Sequence, residues 1–225
     1  MKRLGRVFKQ YKDYIYPVAV GALILVIIVL VARSWSTAPL DGKSDVPAFT
    51  QEFVLGSPSA PVTIIEYSDF QCYTCVIFAG EVFPSLKLDY IDKGKVKFIY
   101  RDFILYGNDS IRTANAARCA GEQGQFWDYH DLLFSGRSAE RGAPFFTTEE
   151  LKNFGKKLIL NDDQFNACVD SLKYKEAIKA SDTQARAAGV IALPSFFINE
   201  IGPVSGSLRY RHFKPIIDAA LKQAY

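Results

Sequence analysis

Two cysteines separated by two residues, Cys72 and Cys75, are the side chains of this 225-residue chain whose spacing most clearly suggests chemistry. A C-x-x-C pair serves either as a redox-active dithiol or as half of a zinc site. A structural zinc site needs four ligands, usually completed by a second Cys or His pair at short spacing. The chain has no second C-x-x-C, and His130 and His212 stand alone in the sequence. The sequence therefore favours a dithiol and predicts no metal site.

The residues around the pair predict a strand, a turn, a helix and a second strand. Residues 62–67 are β-branched and aromatic, which is typical of a buried strand. Apolar side chains then recur with helical spacing over residues 76–90, and Pro84 is expected to bend this helix. Residues 95–100 alternate like a strand. This βαβ setting is the one in which a C-x-x-C is typical of a redox motif.

The predicted position of the pair at the start of a helix favours thiolate chemistry. Free N–H groups and the helix dipole stabilise an anion at a helix N-terminus. A free thiol titrates near 8.5, and such a position lowers its pKa to about 3.5–7.5. We therefore expect Cys72 to be the exposed, acidified nucleophile. Cys75, one turn further along, is expected to be the buried thiol that resolves the reaction.

The two remaining cysteines, Cys119 and Cys168, lie far from the motif and from each other in sequence. Four cysteines allow three pairings, and only a bond between Cys119 and Cys168 leaves the C-x-x-C pair intact. We expect a structural disulfide, which would stabilise the fold by about 4 kcal/mol in the chain-entropy model. A second redox pair and two buried free thiols are the alternatives.

Residues 14–33 are predicted to be a single transmembrane anchor. Residues 14–32 contain no charged side chain, and at about 1.5 Å of rise per residue they nearly cross a hydrocarbon core of about 30 Å. Residues 1–13 carry five Lys or Arg, so the positive-inside rule keeps this basic tail in the cytoplasm and exports the rest. A cleaved signal peptide is the alternative, although its apolar region would be about 7–15 residues long.

The exported part divides into a polar linker, residues 34–50, and a globular domain, residues 51–225. Beyond residue 33 the chain carries 21 basic and 23 acidic side chains, so no nucleic-acid partner is predicted. Residues 108–188 predict a helical insertion in this domain. Within it, the Thr-Thr-Glu-Glu sequence at 147–150 is a capping box. Asp109 or Ser110 and, later, Ser171 are expected to cap other helices.

The motif and its surroundings resemble the DsbA-like family of thiol–disulfide oxidoreductases in the thioredoxin superfamily. The similarity extends from about residue 53 to residue 221 and is most specific in residues 60–75, which end with the cysteine pair. Residues 119–134 resemble the family's helical insert, residues 193–199 its cis-proline loop and the following strand, and residues 202–206 its last strand. The resemblance implies an α/β thioredoxin fold with an inserted helical subdomain.

The resemblance also implies a role for each candidate site residue. Cys72 would form a mixed disulfide with a substrate protein, and Cys75 would resolve it. Pro194 would be cis and face the pair, while Leu193 would offer backbone groups to an extended substrate. Glu66 would be a buried acid that relays protons to and from Cys75, with a pKa raised by burial. No cofactor is needed on the chain.

The expected function is oxidation of dithiols in exported proteins by a membrane-anchored enzyme outside the cytoplasm, in the periplasm or at the cell exterior. The family resemblance implies a quinone-coupled membrane protein as the reoxidising partner. A disulfide reductase or isomerase is one alternative, because the dipeptide Tyr73-Thr74 lacks the proline or histidine that family members often carry there. A non-enzymatic, chaperone-like peptide-binding module is the other alternative.

Overall fold

The computed structural model describes residues 53–137, 145–199, 201–206 and 208–224. Within these residues, one mixed sheet has the strand order β1-β3-β2-β4-β5. β2 pairs in parallel with β3, and the other neighbouring strands are antiparallel. The strands are β1 (Phe53–Leu55), β2 (Val62–Ser68), β3 (Val96–Asp102), β4 (Ser195–Ile198) and β5 (Ile201–Ser205). The α/β arrangement predicted from the sequence is thus observed.

The central strand β2 leads directly into the helix that begins at the cysteine motif. This helix consists of α1 (Tyr73–Ile77), a π-helical turn (Phe78–Val82), α2 (Phe83–Leu86) and a second π-helical turn (Lys87–Ile91). Pro84 lies in the first turn of α2. Because proline has no N–H and clashes with the preceding turn, it interrupts the regular α-helical pattern. The sequence predicts a bend here, and the structure places a π-helical turn on each side of the proline.

The helical insertion lies between β3 and β4, as predicted. Its helices pack mainly on one another, and α7 also packs on β3. They are α3 (Asn108–Gly121), α4 (Phe126–Gly136), α5 (Thr148–Lys157), α6 (Asp162–Ser171) and α7 (Lys175–Ala187). After the insertion the chain returns to the sheet through β4 and β5 and ends in α8 (Tyr210–Gln223).

The predicted capping box at the start of α5 is confirmed, whereas the predicted cap at Ser171 is wrong. The Thr147 hydroxyl accepts the Glu150 N–H at 3.2 Å, and the Glu150 carboxylate accepts the Thr147 N–H at 2.8 Å. Ser171 is instead the last residue of α6, and its hydroxyl donates to the Cys168 carbonyl. Because the hydroxyl bonds back into its own helix, it does not satisfy the first N–H groups of α7.

The predicted cap at Asp109 or Ser110 is also wrong. The N-cap residue of α3 is Gly107, with φ of 57°, and it has no side chain that could accept an N–H. Ser110 lies inside the first turn, and its hydroxyl donates to the buried carboxylate of Asp69. A contact with a distant part of the chain therefore uses the hydroxyl that was expected to cap the helix.

Two apolar clusters support the sheet and meet at the cysteine motif. The first contains Phe78 and Leu86 of the helix after β2, Phe98 of β3 and Phe213 of α8. Burying each such side chain contributes about 1.5–3 kcal/mol. The second cluster joins the helical insertion to the sheet, and its buried members include Cys72, Cys75 and Tyr129 of α4. The start of α1 therefore lies where the insertion packs against the thioredoxin-like core.

The predicted tail, transmembrane anchor and linker, residues 1–50, lie outside the described residues. Among the helices that the structure does describe, none is both long and apolar enough to cross a membrane.

Candidate active site

Cys72 is the N-cap residue of α1, which places its sulfur at the positive end of the helix. Its backbone is extended, with φ of −78° and ψ of 122°, and Sγ accepts the Cys75 N–H at 3.4 Å. The turn before it is held by Asp69, whose carbonyl accepts the Cys72 N–H at 2.9 Å. The local backbone therefore aims the N-terminal donors of the helix at the first sulfur of the pair, as predicted.

The two sulfurs have opposite tendencies to ionise. The pKa of Cys72 is lowered to about 7, chiefly because the Cys75 side chain hydrogen-bonds to it, with further help from the Cys75 N–H and, when its hydroxyl points at the sulfur, from Thr74. The pKa of Cys75 is raised well above its ordinary value, first of all because the thiol is completely buried. This asymmetry makes Cys72 the better nucleophile and the better leaving group of the pair.

Cys72 is less accessible than the sequence predicted. Only 2 % of its surface is exposed, because its side chain belongs to the apolar cluster that also contains Phe103 and Leu193, residues from distant loops. The prediction of an exposed sulfur is therefore wrong. Its neighbours Tyr73 and Thr74 are half-buried, so the sulfur lies just beneath the surface. Burial opposes its ionisation but does not outweigh the hydrogen bonds to it.

The loop that contains Pro194 lies against the start of α1. The Leu193–Pro194 peptide is cis, and the Leu193 carbonyl accepts the Thr74 hydroxyl at 2.8 Å. Thr74 Oγ1 in turn lies 3.1 Å from Cys72 Sγ. The antiparallel pairing of β4 with β2, which puts Ser195 opposite Tyr67, holds the loop at this end of the sheet. The structure thus brings together Cys72, Leu193 and Pro194, which the sequence placed at one site.

Glu66 is buried in the middle of the sheet, as predicted. It exposes 2 % of its surface, and burial raises its pKa from 4.5 to about 8. The Ser68 hydroxyl lies near both Glu66 and Cys75 and lowers the pKa of each, which partly offsets burial. Among the described residues, neither Ser68 Oγ nor Glu66 Oε1 has a direct hydrogen-bond partner. Glu66 and Cys75 therefore share the neighbouring Ser68 hydroxyl, and Glu66 keeps one acceptor oxygen without a direct partner among the described residues.

Asp69 is a buried acid at the site that was not predicted from the sequence. Its carboxylate accepts the Gln71 N–H at 2.8 Å, the Leu105 N–H at 2.9 Å and the Ser110 hydroxyl. Burial raises its pKa to about 6, and its charge raises the pKa of Cys72. Asp69 joins the turn before the motif to the loop before α3. Its position three residues before the first cysteine is the signal that could have identified it.

Cys119 and Cys168 form a disulfide that joins α3 to α6, with 5.8 Å between their Cα atoms. The predicted pairing is confirmed, and the bond lies within the insertion rather than at the C-x-x-C motif. Within the described residues, no three His, Cys, Asp or Glu side chains gather as a metal site would require.

The C-x-x-C pair begins a helix, and its acidified first sulfur and buried second sulfur lie beside a cis-proline loop. This arrangement is that of a thioredoxin-type thiol–disulfide oxidoreductase. The sequence model of the thioredoxin family matches residues 49–219, and the chain belongs to that family. Within it, the chain is a DsbA-like thiol–disulfide oxidoreductase, as its relatives show.

Curated relatives and solved structures agree on this class. The chain is 29% identical over 207 residues to a probable disulfide bond formation protein D of Bacillus anthracis, covering 89% of this chain and 92% of that protein. The crystal structure of oxidised BdbD from Bacillus subtilis matches with a TM-score of 0.71 at 25% identity, over 76% of this chain and 93% of that one. Wolbachia pipientis alpha-DsbA1 matches with a TM-score of 0.69 at 27% identity, over 78% and 93%.

Proposed function

We propose that this enzyme oxidises cysteine pairs in exported proteins while anchored to the outer face of the cytoplasmic membrane. The observation that carries the proposal is the Cys72–Cys75 pair at the start of α1, with an acidified first thiol and a buried second thiol beside the cis Leu193–Pro194 peptide. Stabilising the Cys72 thiolate shifts the pair toward its reduced form and makes its disulfide more oxidising than that of an unperturbed dithiol. Disulfide bond formation is also what the names of the relatives say of those proteins.

The proposed reaction moves two electrons from a substrate dithiol to the enzyme. A substrate thiolate attacks Cys72 Sγ of the Cys72–Cys75 disulfide, which breaks that bond and leaves the electron pair on Cys75. Cys75 takes up a proton, which Glu66 supplies through the polar groups beneath the pair. A second substrate thiolate then attacks the substrate sulfur of the mixed disulfide and releases Cys72 as a thiolate. The substrate leaves with a new disulfide, and the enzyme is left reduced.

The backbone of Leu193 is proposed to hold the substrate beside Cys72. Leu193 precedes Pro194 at the end of the sheet, and its carbonyl is hydrogen-bonded to a residue of the cysteine motif. An extended peptide that binds through backbone groups gains affinity that depends little on its sequence. An oxidase of many exported proteins needs this kind of recognition. Exported proteins with cysteine thiols are therefore the proposed substrates.

The direction of electron flow is tested by the equilibrium of the Cys72–Cys75 pair with glutathione. An oxidase should have a potential well above about −270 mV, the value for thioredoxin, and closer to about −120 mV, the value for DsbA. A thioredoxin-like potential would favour the alternative, a reductase.

Oxidase activity is measured directly by the refolding of a reduced substrate protein whose native state contains disulfides. Unchanged activity in Cys72→Ala would favour the chaperone-like alternative.

The order of attack predicts which variant traps substrates. In Cys75→Ser the Cys72 thiolate can still attack a disulfide of an oxidised substrate, which breaks that bond and releases one substrate thiolate, but the thiol that would resolve the mixed disulfide is missing. We expect this variant to accumulate substrate adducts that dithiothreitol releases, as seen on non-reducing gels. Cys72→Ser, the matched control, should accumulate far fewer, because the pKa of the fully buried Cys75 thiol is raised well above its ordinary value and little of it is a thiolate. Equal trapping by both variants would contradict the assignment of Cys72 as the attacked sulfur.

Anchoring by residues 14–33, with the catalytic domain outside the cytoplasm, rests on the sequence and is tested in cells. The full chain should sediment with membranes and resist extraction by high salt. In intact cells, or in spheroplasts where an outer membrane is present, a membrane-impermeant maleimide should label reduced Cys72. Protection of Cys72 until the membrane is lysed would contradict the proposed orientation.

A quinone-coupled membrane protein is the proposed reoxidising partner, and quinone depletion should make the enzyme accumulate in its reduced form.

A further inference from the structure

The Thr74 hydroxyl lies between a reactive sulfur and a backbone carbonyl. Thr74 Oγ1 donates to Leu193 O at 2.8 Å and lies 3.1 Å from Cys72 Sγ. A threonine hydroxyl has a single proton to donate and two lone pairs. It can therefore donate to only one of these two partners at a time. The other contact is a hydrogen bond only if that partner supplies the proton.

Whether both contacts of Thr74 Oγ1 can be hydrogen bonds at the same time depends on the charge of the Cys72 sulfur. When Cys72 is a neutral thiol, its S–H can donate to Thr74 Oγ1 while the Thr74 hydroxyl donates to Leu193 O. A Cys72 thiolate has no proton to donate and becomes a charged acceptor, and hydrogen bonds to charged groups are roughly twice as strong as neutral ones. The thiolate and the Leu193 carbonyl then compete for one proton.

The competing carbonyl belongs to the residue proposed to bind substrate. A carbonyl oxygen has two lone pairs, so a substrate N–H can bind to Leu193 O before Thr74 has left it. Once the substrate N–H satisfies this oxygen, turning the hydroxyl of Thr74 away no longer leaves a polar group unpaired. Without a substrate, rotation of the Thr74 hydroxyl would leave the Leu193 carbonyl without a hydrogen bond. This is unfavourable because Leu193 is buried.

We propose that backbone binding of a substrate at Leu193 turns the Thr74 hydroxyl onto Cys72, so that the substrate itself stabilises the leaving thiolate. This inference rests on the proposed function, because it needs a peptide N–H at Leu193. When the mixed disulfide breaks, the electron pair goes to Cys72 Sγ and the substrate is oxidised. Thr74 keeps its proton and contributes a hydrogen bond to the new anion. Thr74 is thus a positioning residue that couples substrate binding to the chemistry at Cys72.

Other ionisable groups also act on the Cys72 sulfur and must be held constant. They are the Cys75 thiol on α1, Asp69 in the turn after β2, Glu66 on β2 and Tyr106 in the loop before α3. These groups surround the sulfur whether or not a peptide is bound. The test therefore compares the same variant with and without peptide.

The experiment measures the Cys72 thiolate by its ultraviolet absorbance in the full-length Cys75→Ser chain, with Cys119 and Cys168 kept oxidised. The probe is the cysteine-free peptide acetyl-Ala-Val-Ser-Val-Ala-amide, and calorimetry measures its binding separately. At a fixed pH below the midpoint, saturating peptide should raise the ratio of thiolate to thiol about threefold to tenfold, the effect of one hydrogen bond. By reciprocity, the thiolate form should bind the peptide more tightly by the same factor.

Two substitutions distinguish coupling from a merely structural role. Thr74→Val keeps the branched shape but lacks the hydroxyl, so peptide binding should leave the thiolate ratio unchanged. Thr74→Ser keeps the hydroxyl and should restore the response. The proposed coupling is overturned if the peptide binds the chain with Thr74 intact and the ratio of thiolate to thiol does not change. It is also overturned if the ratio still changes in Thr74→Val. Neither result contradicts the proposed oxidase function. Absence of peptide binding at millimolar concentration overturns binding at Leu193, while the refolding assay tests oxidation independently.

Discussion

Glu66 is an ionisable side chain held almost out of contact with water in the central strand of the sheet. Folding raises its pKa from 4.5 to about 8, mainly through burial. Between these two pH values the folded state keeps a proton that the unfolded state has released. Stability therefore falls as pH rises through this range: the contribution of the protonated carboxyl is complete below about pH 4.5 and is lost on approach to pH 8.

Glu66→Gln should remove this pH dependence, because an amide stays neutral. With the cysteine pair oxidised, so that neither thiol titrates, we expect the variant to be more stable than the unsubstituted chain near pH 8 by about 4 kcal/mol. Near pH 4 the two should differ little. Urea unfolding at a series of pH values measures the difference. A stability gain of the same size at both ends of the range would contradict the raised pKa.

At the residue scale, the sequence predicted the roles that local motifs carry. Cys72 and Cys75 follow from their spacing, and the family pattern placed Glu66 beneath them and Pro194 beside them. The burial of Cys72 could not be predicted, because Leu193 and other residues far along the chain create it. The link through Thr74 was missed for the same reason, since its partner carbonyl lies on a loop more than a hundred residues away.

At the scale of elements, the Cys119–Cys168 disulfide fixes α3 against α6. A cross-link stabilises mainly by restricting the unfolded chain, and the effect grows slowly with the length of the closed loop. With a sequence separation of 49 residues, the chain-entropy model gives about 4 kcal/mol. The bond lies away from the C-x-x-C motif, so its effect on stability should be separable from the chemistry.

Replacing both cysteines, Cys119→Ala with Cys168→Ala, should lower the free energy of unfolding by about 2–4 kcal/mol. Urea unfolding measures this loss. The pH midpoint of Cys72 alkylation should stay where it is, because none of the groups that set the pKa of Cys72 is changed. A shifted midpoint would show that the second disulfide also tunes the active site.

Among the elements, strands and helix ends differed in how well the sequence predicted them. β2 and β3 were located correctly because their β-branched and aromatic residues form continuous runs. The cap at Thr147 was predicted because all its partners lie within four residues. Ser110 has an equally good capping side chain, but its hydroxyl bonds Asp69 in another part of the fold. Local patterns cannot reveal such a competing tertiary contact.

At the scale of the whole domain, a buried ion pair ties the insertion to the sheet. Arg118 of α3 donates to the carboxylate of Asp102 at the end of β3, with 2.6 Å between Nε and Oδ2. Both side chains are almost fully buried. The Ser181 hydroxyl of α7 donates to the Asp102 carbonyl at 2.7 Å in the same region. Asp102 therefore connects the strand that borders β2 to two helices of the insertion.

Arg118→Met should cost about 3–5 kcal/mol, because it leaves the Asp102 carboxylate buried without its compensating charge. The double variant Asp102→Leu with Arg118→Met should lose less than the sum of the two single losses, since it removes both charges. Urea unfolding of the four proteins gives the coupling energy.

An exposed ion pair provides the matched control for this cycle. Lys152 and Asp170 join α5 to α6 with 2.7 Å between their charged atoms, and Asp170 is mostly exposed. Lys152→Met should therefore cost no more than about 1 kcal/mol. If the losses of stability from Asp102→Leu and Arg118→Met simply add in the double variant, the buried pair contributes no coupling energy.

β5, one of the two edge strands of the sheet, exposes most of its residues and contains Pro203. An open strand edge can recruit any extended chain, including another copy of the same protein, and growth of this kind leads to aggregates. Proline withdraws one backbone donor from such an edge. For the proposed binding of an extended substrate at Leu193, this reduces competing pairing of substrate chains, or of other copies of the protein, with the edge of the sheet.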